Sequence, residues 1–141
     1  MLLCHRGKGP LNVNEPHEIR ILVVEDEPGV RDFVKRGLLS VGYDVTAVED
    51  GQQALERLER DKYHLMVTDI VMPGLDGIAL SLKAAKEYPD LRILLMTGYA
   101  TERQRANNME TLIHTVLAKP FSLKALITTV EHALHSTARA N

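Results

Sequence analysis

The sequence predicts an α/β fold in which five parallel strands form a doubly wound sheet with helices on both faces. Three observations carry that expectation. Short apolar, β-branched runs such as Ile21-Leu22-Val23-Val24 recur along the chain, as expected of strands buried on both faces. Segments with apolar residues at helical spacing alternate with those runs, joined by short connections. The chain has 141 residues, 45% apolar and 26% charged, which suffices for one hydrophobic core and falls short of two ordinary domains.

Residues 1–18 carry Gly7, Gly9, Pro10, Asn12, Asn14 and Pro16 without periodicity and are expected to be a flexible leader. The folded domain is expected over 19–137, with 138–141 as a short tail. Strand one is Ile21–Val24. Val30, Phe33, Val34, Leu38 and Val41 then recur at helical spacing, and Gly42 ends that helix. Tyr43 to Val48 reads as strand two, and Asp50 as the N-cap of a helix that turns Ala54, Leu55 and Leu58 inward. Leu65-Met66-Val67 is strand three, ending at Thr68-Asp69. Asp76 caps a third helix with Ile78, Leu82 and Ala85 on one stripe, closed by Pro89. Ile93 to Met96 is strand four. The polar stretch Thr101 to Glu110 is expected to be helix four, with a thin apolar face, and Leu112 to Ala118 is strand five. Ser122 caps the last helix, helix five, where Leu123, Leu126, Ile127, Val130 and Leu134 give the cleanest helical period in the chain.

Right-handed crossovers and this length fit a flavodoxin-like strand order, 2-1-3-4-5. In that order ligands bind beyond the carboxyl ends of the strands, where strands one and three part. Chemistry is therefore to be sought at strand ends, and four of the five supply it. Strand one ends at Glu25-Asp26, strand three at Asp69, strand four at Thr97 and strand five at Lys119. The edge strand supplies nothing comparable.

Carboxylates brought together repel, so Glu25, Asp26 and Asp69 need a compensating cation. An all-oxygen set of hard ligands suits Mg²⁺ rather than zinc. With the cation in place, an aspartate can act as nucleophile toward phosphorus and form an acyl phosphate. Lys119 then pairs with a phosphoryl oxygen as a point charge, and the Thr97 hydroxyl donates to another. Any one of these residues taken alone is more economically a helix cap, a turn residue or a surface charge. Their joint placement at converging strand ends is what points to chemistry.

Composition narrows the alternatives. Seventeen Lys and Arg against nineteen Asp and Glu leave a formal charge of −2, so no basic field is offered to nucleic acid, and no nucleic-acid partner is expected. Apolar runs fall far short of the ~20 residues that cross a bilayer, and no membrane partner is expected. The single cysteine, Cys4, can form no internal disulfide. Met1-Leu2-Leu3-Cys4 lacks the apolar stretch of a signal peptide. A reduced, cytoplasmic protein is expected.

The stretches Val23-Val24-Glu25-Asp26-Glu27-Pro28, Thr68-Asp69-Ile70-Val71-Met72-Pro73-Gly74-Leu75-Asp76-Gly77 and Ala118-Lys119-Pro120-Phe121, with Thr97-Gly98 between the last two, occur in an order that resembles bacterial response-regulator receiver domains. The resemblance spans Ile19 to about His135. It implies that Asp69 accepts the phosphoryl group and that Asp26, Asp69 and the carbonyl of Val71 ligate Mg²⁺, with Glu25 helping through water. It further implies that Thr97 and Lys119 sense the phosphoryl group and that Lys119-Pro120 is a cis peptide. One departure stands out: the position three residues before the lysine, often aromatic in the family, is Val116. A switch must then rely on Thr97, the loop with Tyr99 and helix four. The wording of these motifs is also similar to CpdR-like stand-alone receivers, which control delivery to a ClpXP-type protease, and to receivers attached to hybrid kinases.

The implied function is a phosphorylation-operated binding module, loaded by a sensor histidine kinase or phosphotransfer protein. Little chain remains after the last helix, so the output is expected to be a downstream protein target bound through helix 4, strand 5 and helix 5, or onward phosphotransfer. A dedicated enzyme is not expected. A haloacid-dehalogenase-type phosphatase also uses an aspartyl nucleophile, but it wants a proton donor two residues later, and Val71 cannot serve. A constitutive adaptor that is never phosphorylated is the third alternative, and the intact carboxylate, Thr and Lys set argues against it. His114, the pair His132 and His135, and the pair Arg103 and Arg105 read as solvated surface groups.

Overall fold

The computed structural model describes residues 18–98 and 115–135. The expected helix over 101–110, the start of strand five at 112–114, Tyr99, His114 and the leader before Glu18 lie outside the described residues. The described elements are β1 (Arg20–Val24), α1 (Pro28–Val41), β2 (Asp44–Val48), α2 (Gly51–Arg60), β3 (Leu65–Asp69), α3 (Gly77–Glu87), β4 (Arg92–Thr97), β5 (Thr115–Ala118) and α4 (Leu123–Leu134), the helix read from the sequence as the last.

The sheet is five-stranded with order β2-β1-β3-β4-β5, and every neighbouring pair is parallel. Alternation along each strand sends side chains to opposite faces, and the two faces build two separate cores. Leu22 and Val24 of β1, Met66 of β3 and Ile93 and Leu95 of β4 pack under α2 and α3 with Ala54, Leu58 and Ala84. Ile21, Val23, Leu65, Val67, Leu94 and Met96 pack on the other face with Val34 and Leu38 of α1 and Leu126 and Val130 of α4. Central strands covered on both faces must be apolar throughout, which is why they read as unbroken runs rather than as alternating patterns.

The helix boundaries follow from local chemistry. Asp50, Asp76 and Ser122 each accept a hydrogen bond from the backbone N–H three residues on, at 2.8, 2.9 and 3.0 Å, and so satisfy donors that the first turn leaves orphaned. α1 starts at Pro28 instead, and it ends at Gly42, whose φ of 106° is open chiefly to glycine.

Three apolar positions depart from the expected inward pattern. Leu82 is 46% exposed. The face of α3 that meets the sheet is the Gly77, Ser81 and Ala84 side, because Gly77 sits directly against the backbone at the end of β3. Leu123, 43% exposed, leans on α1, where its Cδ1 would stand 2.6 Å from a Cβ added at Gly37. Phe33, 41% exposed, stands beside Phe121 with ring centroids 6.2 Å apart.

Ser81 is fully buried, and its hydroxyl has no hydrogen-bond partner among the described residues. An orphaned polar group costs about 1–3 kcal/mol, and alanine is the better helix former. Ser81→Ala is therefore expected to raise stability by about 1 kcal/mol, seen as a higher urea midpoint at unchanged m-value. A lower midpoint would mean that the hydroxyl is bonded in solution.

Candidate functional site

Parallel strands bring their carboxyl ends to one edge, and the sheet order reverses at β1, which pairs with β2 on one side and β3 on the other. A cleft of about 490 Å³ opens there, lined by Glu25, Asp26, Glu27, Asp69, Val71, Gly98, Lys119 and Pro120. Five of the six site residues expected from the sequence line it. The sixth, Thr97, is buried at the end of β4, and its carbonyl accepts the Lys119 backbone N–H at 2.7 Å.

Glu25 follows the apolar run of β1 directly and is fully buried. Its Oε2 accepts the Glu27 backbone N–H at 3.1 Å, and its Oε1 lies 3.0 Å from Lys119 Nζ. Its main-chain carbonyl accepts from the Arg31 guanidinium at 3.0 Å, which ties the turn after β1 to the first turn of α1. Asp26 is exposed and faces the cleft. Asp69, the last residue of β3, is 6% exposed, with Oδ1 3.0 Å from the same Lys119 ammonium. The Lys119-Pro120 peptide is cis, as the resemblance implied.

Electrostatics at this edge are unbalanced. Burial pushes the Glu25 carboxyl above its ordinary pKa, only partly offset by the Glu27 N–H and by Lys119. Burial likewise raises that of Asp69, against the hydrogen bond and charge of Lys119, and nearby Asp26 adds to the rise. For Lys119, burial pulls the pKa down, but its hydrogen bonds to Glu25 and Asp69 and their charges outweigh burial and raise it. One ammonium, bonded to Glu25 and Asp69, therefore stands against three carboxylates that each bring one oxygen within 4.8 Å of the others. Such an all-oxygen, net-negative set fits a hard divalent cation of the Mg²⁺ kind.

Several of these contacts leave no trace in the sequence. Its motifs point Lys119 toward an incoming group, whereas the structure also shows it bridging Glu25 and Asp69. The signal for Glu25 was available, since a carboxylate placed directly after four buried strand residues is itself buried and needs a partner. Arg31 and Gly77 gave no such signal, because their roles depend on what the turns bring beside them. Val116, in the place of the absent aromatic, is half-buried and packs against the core under α2 and α3. His132 and His135 are exposed at the end of α4. Among the described residues no helix is long and apolar enough to cross a membrane.

The family model for the response regulator receiver domain matches residues 21–131, which takes in the sheet from Ile21 onward and the whole acidic cleft. The chain belongs to the response regulator receiver domain family. This receiver is 39% identical over 115 residues to the response regulator receiver protein CpdR of Brucella abortus, covering 82% of this chain and 96% of that protein. It is equally similar, 39% over 116 residues, to a segment of the sensor kinase CckA of the same organism, covering 81% of this chain but 12% of the kinase. It also spans about half, 52%, of the response regulator MprA of Mycobacterium leprae, at 34% identity and 84% of this chain. Among solved structures, the response regulator TrrA of Thermotoga maritima, in complex with Mg²⁺ and BeF, superposes with a TM-score of 0.73 at 32% identity, covering 80% of this chain and 96% of that one. The receiver domain of NtrX from Brucella abortus gives 0.77 at 29% identity, covering 83% of this chain and 99% of that one.

Proposed function

We infer that this receiver, spanning residues 19–137, takes a phosphoryl group on Asp69 from a histidine kinase or phosphotransfer protein and in response alters a protein-binding surface. One observation carries the reading: the Asp69 carboxylate faces an open acidic cleft with a single lysine ammonium 3.0 Å away and two further carboxylates beside it. A carboxylate oxygen of Asp69 attacks phosphorus and the phosphorus–nitrogen bond of a phosphohistidine breaks. The imidazole nitrogen keeps the electron pair, and an acyl phosphate remains on the aspartate.

Asp26, Asp69 and the main-chain carbonyl of Val71 are the ligands we assign to Mg²⁺, with Glu25 behind them. The cation supplies positive charge against the carboxylates and the phosphoryl oxygens. To Lys119, 3.0 Å from Asp69 Oδ1, we assign the role of following an oxygen of the added group, and to the Thr97 hydroxyl that of donating to another. Movement of Lys119 away from Glu25 links chemistry at β3 to the chain on either side of β5, the region expected to bind the downstream target.

The direct test is intact-mass measurement after incubation with acetyl phosphate and Mg²⁺. A gain of one phosphoryl group supports the reading, and an unchanged mass overturns it. Asp26→Ala is expected to weaken Mg²⁺ affinity at least tenfold, because the variant lacks the one exposed carboxylate of the cluster. Calorimetric titration reads this, and unchanged affinity would remove Asp26 from the ligand set.

A further inference from the structure

Among the described residues Glu27 is the one carboxylate lining the cleft to which neither the ligand set nor the nucleophile gives a role. It occupies the N-cap position of α1, yet its side chain accepts no hydrogen bond from the helix. Its backbone is engaged, the N–H donating to Glu25 and the carbonyl accepting the Arg31 N–H at 2.9 Å, and its side chain is left over. Arg31, the nearest base in sequence, is turned to the Glu25 carbonyl. Among the described residues the Glu27 carboxylate has no ion-pair partner, and the residue is exposed.

A free carboxylate there has consequences for what can approach. Among the described residues four carboxylates line the cleft against the single ammonium of Lys119, so a divalent cation still leaves these groups net negative. Glu27 contributes the last of those charges, within a Debye length of any group that fits the cavity. Phosphodonors are themselves anions. A donor carried on a docked protein brings its binding surface to offset repulsion, whereas a small diffusing donor has nothing but its own charge.

We propose that Glu27 is a specificity-determining residue: its unpaired carboxylate at the cleft mouth disfavours freely diffusing doubly charged phosphodonors relative to singly charged ones. This rests on Asp69 as the acceptor. With acetyl phosphate, an Asp69 oxygen bonds to phosphorus while the phosphorus–oxygen bond to the acetyl group breaks and acetate leaves. With phosphoramidate, the phosphorus–nitrogen bond breaks and the already protonated nitrogen leaves as ammonia. The first donor carries two negative charges at neutral pH and the second carries one net charge. The competing structural role is a favourable interaction of the carboxylate with the positive end of α1, which would change stability and leave donor preference untouched.

The test compares wild type with Glu27→Gln in Mg²⁺, using both donors at low and high ionic strength and following phosphorylation by intact mass, with thermal unfolding measured alongside. Removing one charge is expected to speed labelling by acetyl phosphate about threefold at low salt. A smaller gain is expected with phosphoramidate, and both gains should shrink as salt is raised. Equal gains for the two donors, a salt-independent gain or no gain would overturn the assignment. A shift in unfolding temperature with unchanged kinetics would reduce Glu27 to its place on the helix end. Absence of labelling in the wild type with either donor would overturn the acceptor assignment itself, and the inference with it.

Discussion

Asp69→Asn is expected to abolish phosphoryl uptake, leaving the intact mass unchanged after incubation with acetyl phosphate and Mg²⁺. The amide matches the carboxylate in shape and still offers Lys119 an acceptor oxygen, but it is no nucleophile toward phosphorus. The same variant is expected to be more stable than wild type in the absence of metal at neutral pH. Burial raises the pKa of Asp69 even with Lys119 3.0 Å away, so the folded protein holds that proton more tightly than the unfolded chain does. The penalty for ionising it is absent below the ordinary carboxylate range. It grows as pH rises from there and is fully present above the raised folded value. Asn removes it. The stability gain should therefore disappear in acid, which urea unfolding across pH would reveal. A gain independent of pH would mean that ionisation is not its source, and undiminished labelling would place the acceptor elsewhere.

Gly77→Ala is the substitution expected to damage the fold most. Gly77 is the first residue of α3, and its N–H donates to the Ile70 carbonyl at 2.8 Å, so helix and strand end are pressed together at the residue following Asp69. A Cβ there would overlap the carbonyl oxygen of Asp69 and lie 2.8 Å from its carbon and 2.9 Å from Ile70 Cα. All of these are backbone atoms, and no rotamer can relieve the clash. The contrast is Gly51, where the added Cβ meets mainly the Leu75 side chain at 3.0 Å. Overpacking against backbone costs about 3 kcal/mol. Because the atoms that must yield belong to Asp69, Mg²⁺ affinity and labelling should fall together with the urea midpoint. A variant of wild-type stability would show that α3 is free to slide on the sheet.

The fold was legible because its periods are plain. Runs such as Ile21–Val24 and Ile93–Met96 are too apolar to face water on either side, and a parallel sheet covered by helices is the arrangement that buries both faces. The caps Asp50, Asp76 and Ser122 were equally legible, since a cap acts within its own turn. Leu82 was misplaced for the opposite reason. Its spacing is right for a buried stripe, but which side of a helix is innermost depends on how closely the helix approaches, and here Gly77 sets that. Leu123 and Phe33 fit their helical periods too, yet lie at the margin of the α1–α4 contact, where half of each side chain meets solvent.

The site divides along the same line. The sequence by itself determined which groups stand at strand ends, because a strand's length and direction decide where its last side chain falls. Glu25, Asp26, Asp69 and Lys119 could be named as one set from that alone. Only the tertiary structure decided how they share charge. Lys119 lies 94 residues from Glu25 and 50 from Asp69 along the chain, yet its ammonium meets both carboxylates at 3.0 Å. Burial and Coulomb energy depend on distance through space and on the dielectric between the groups, and neither is written in the spacing of residues along the chain.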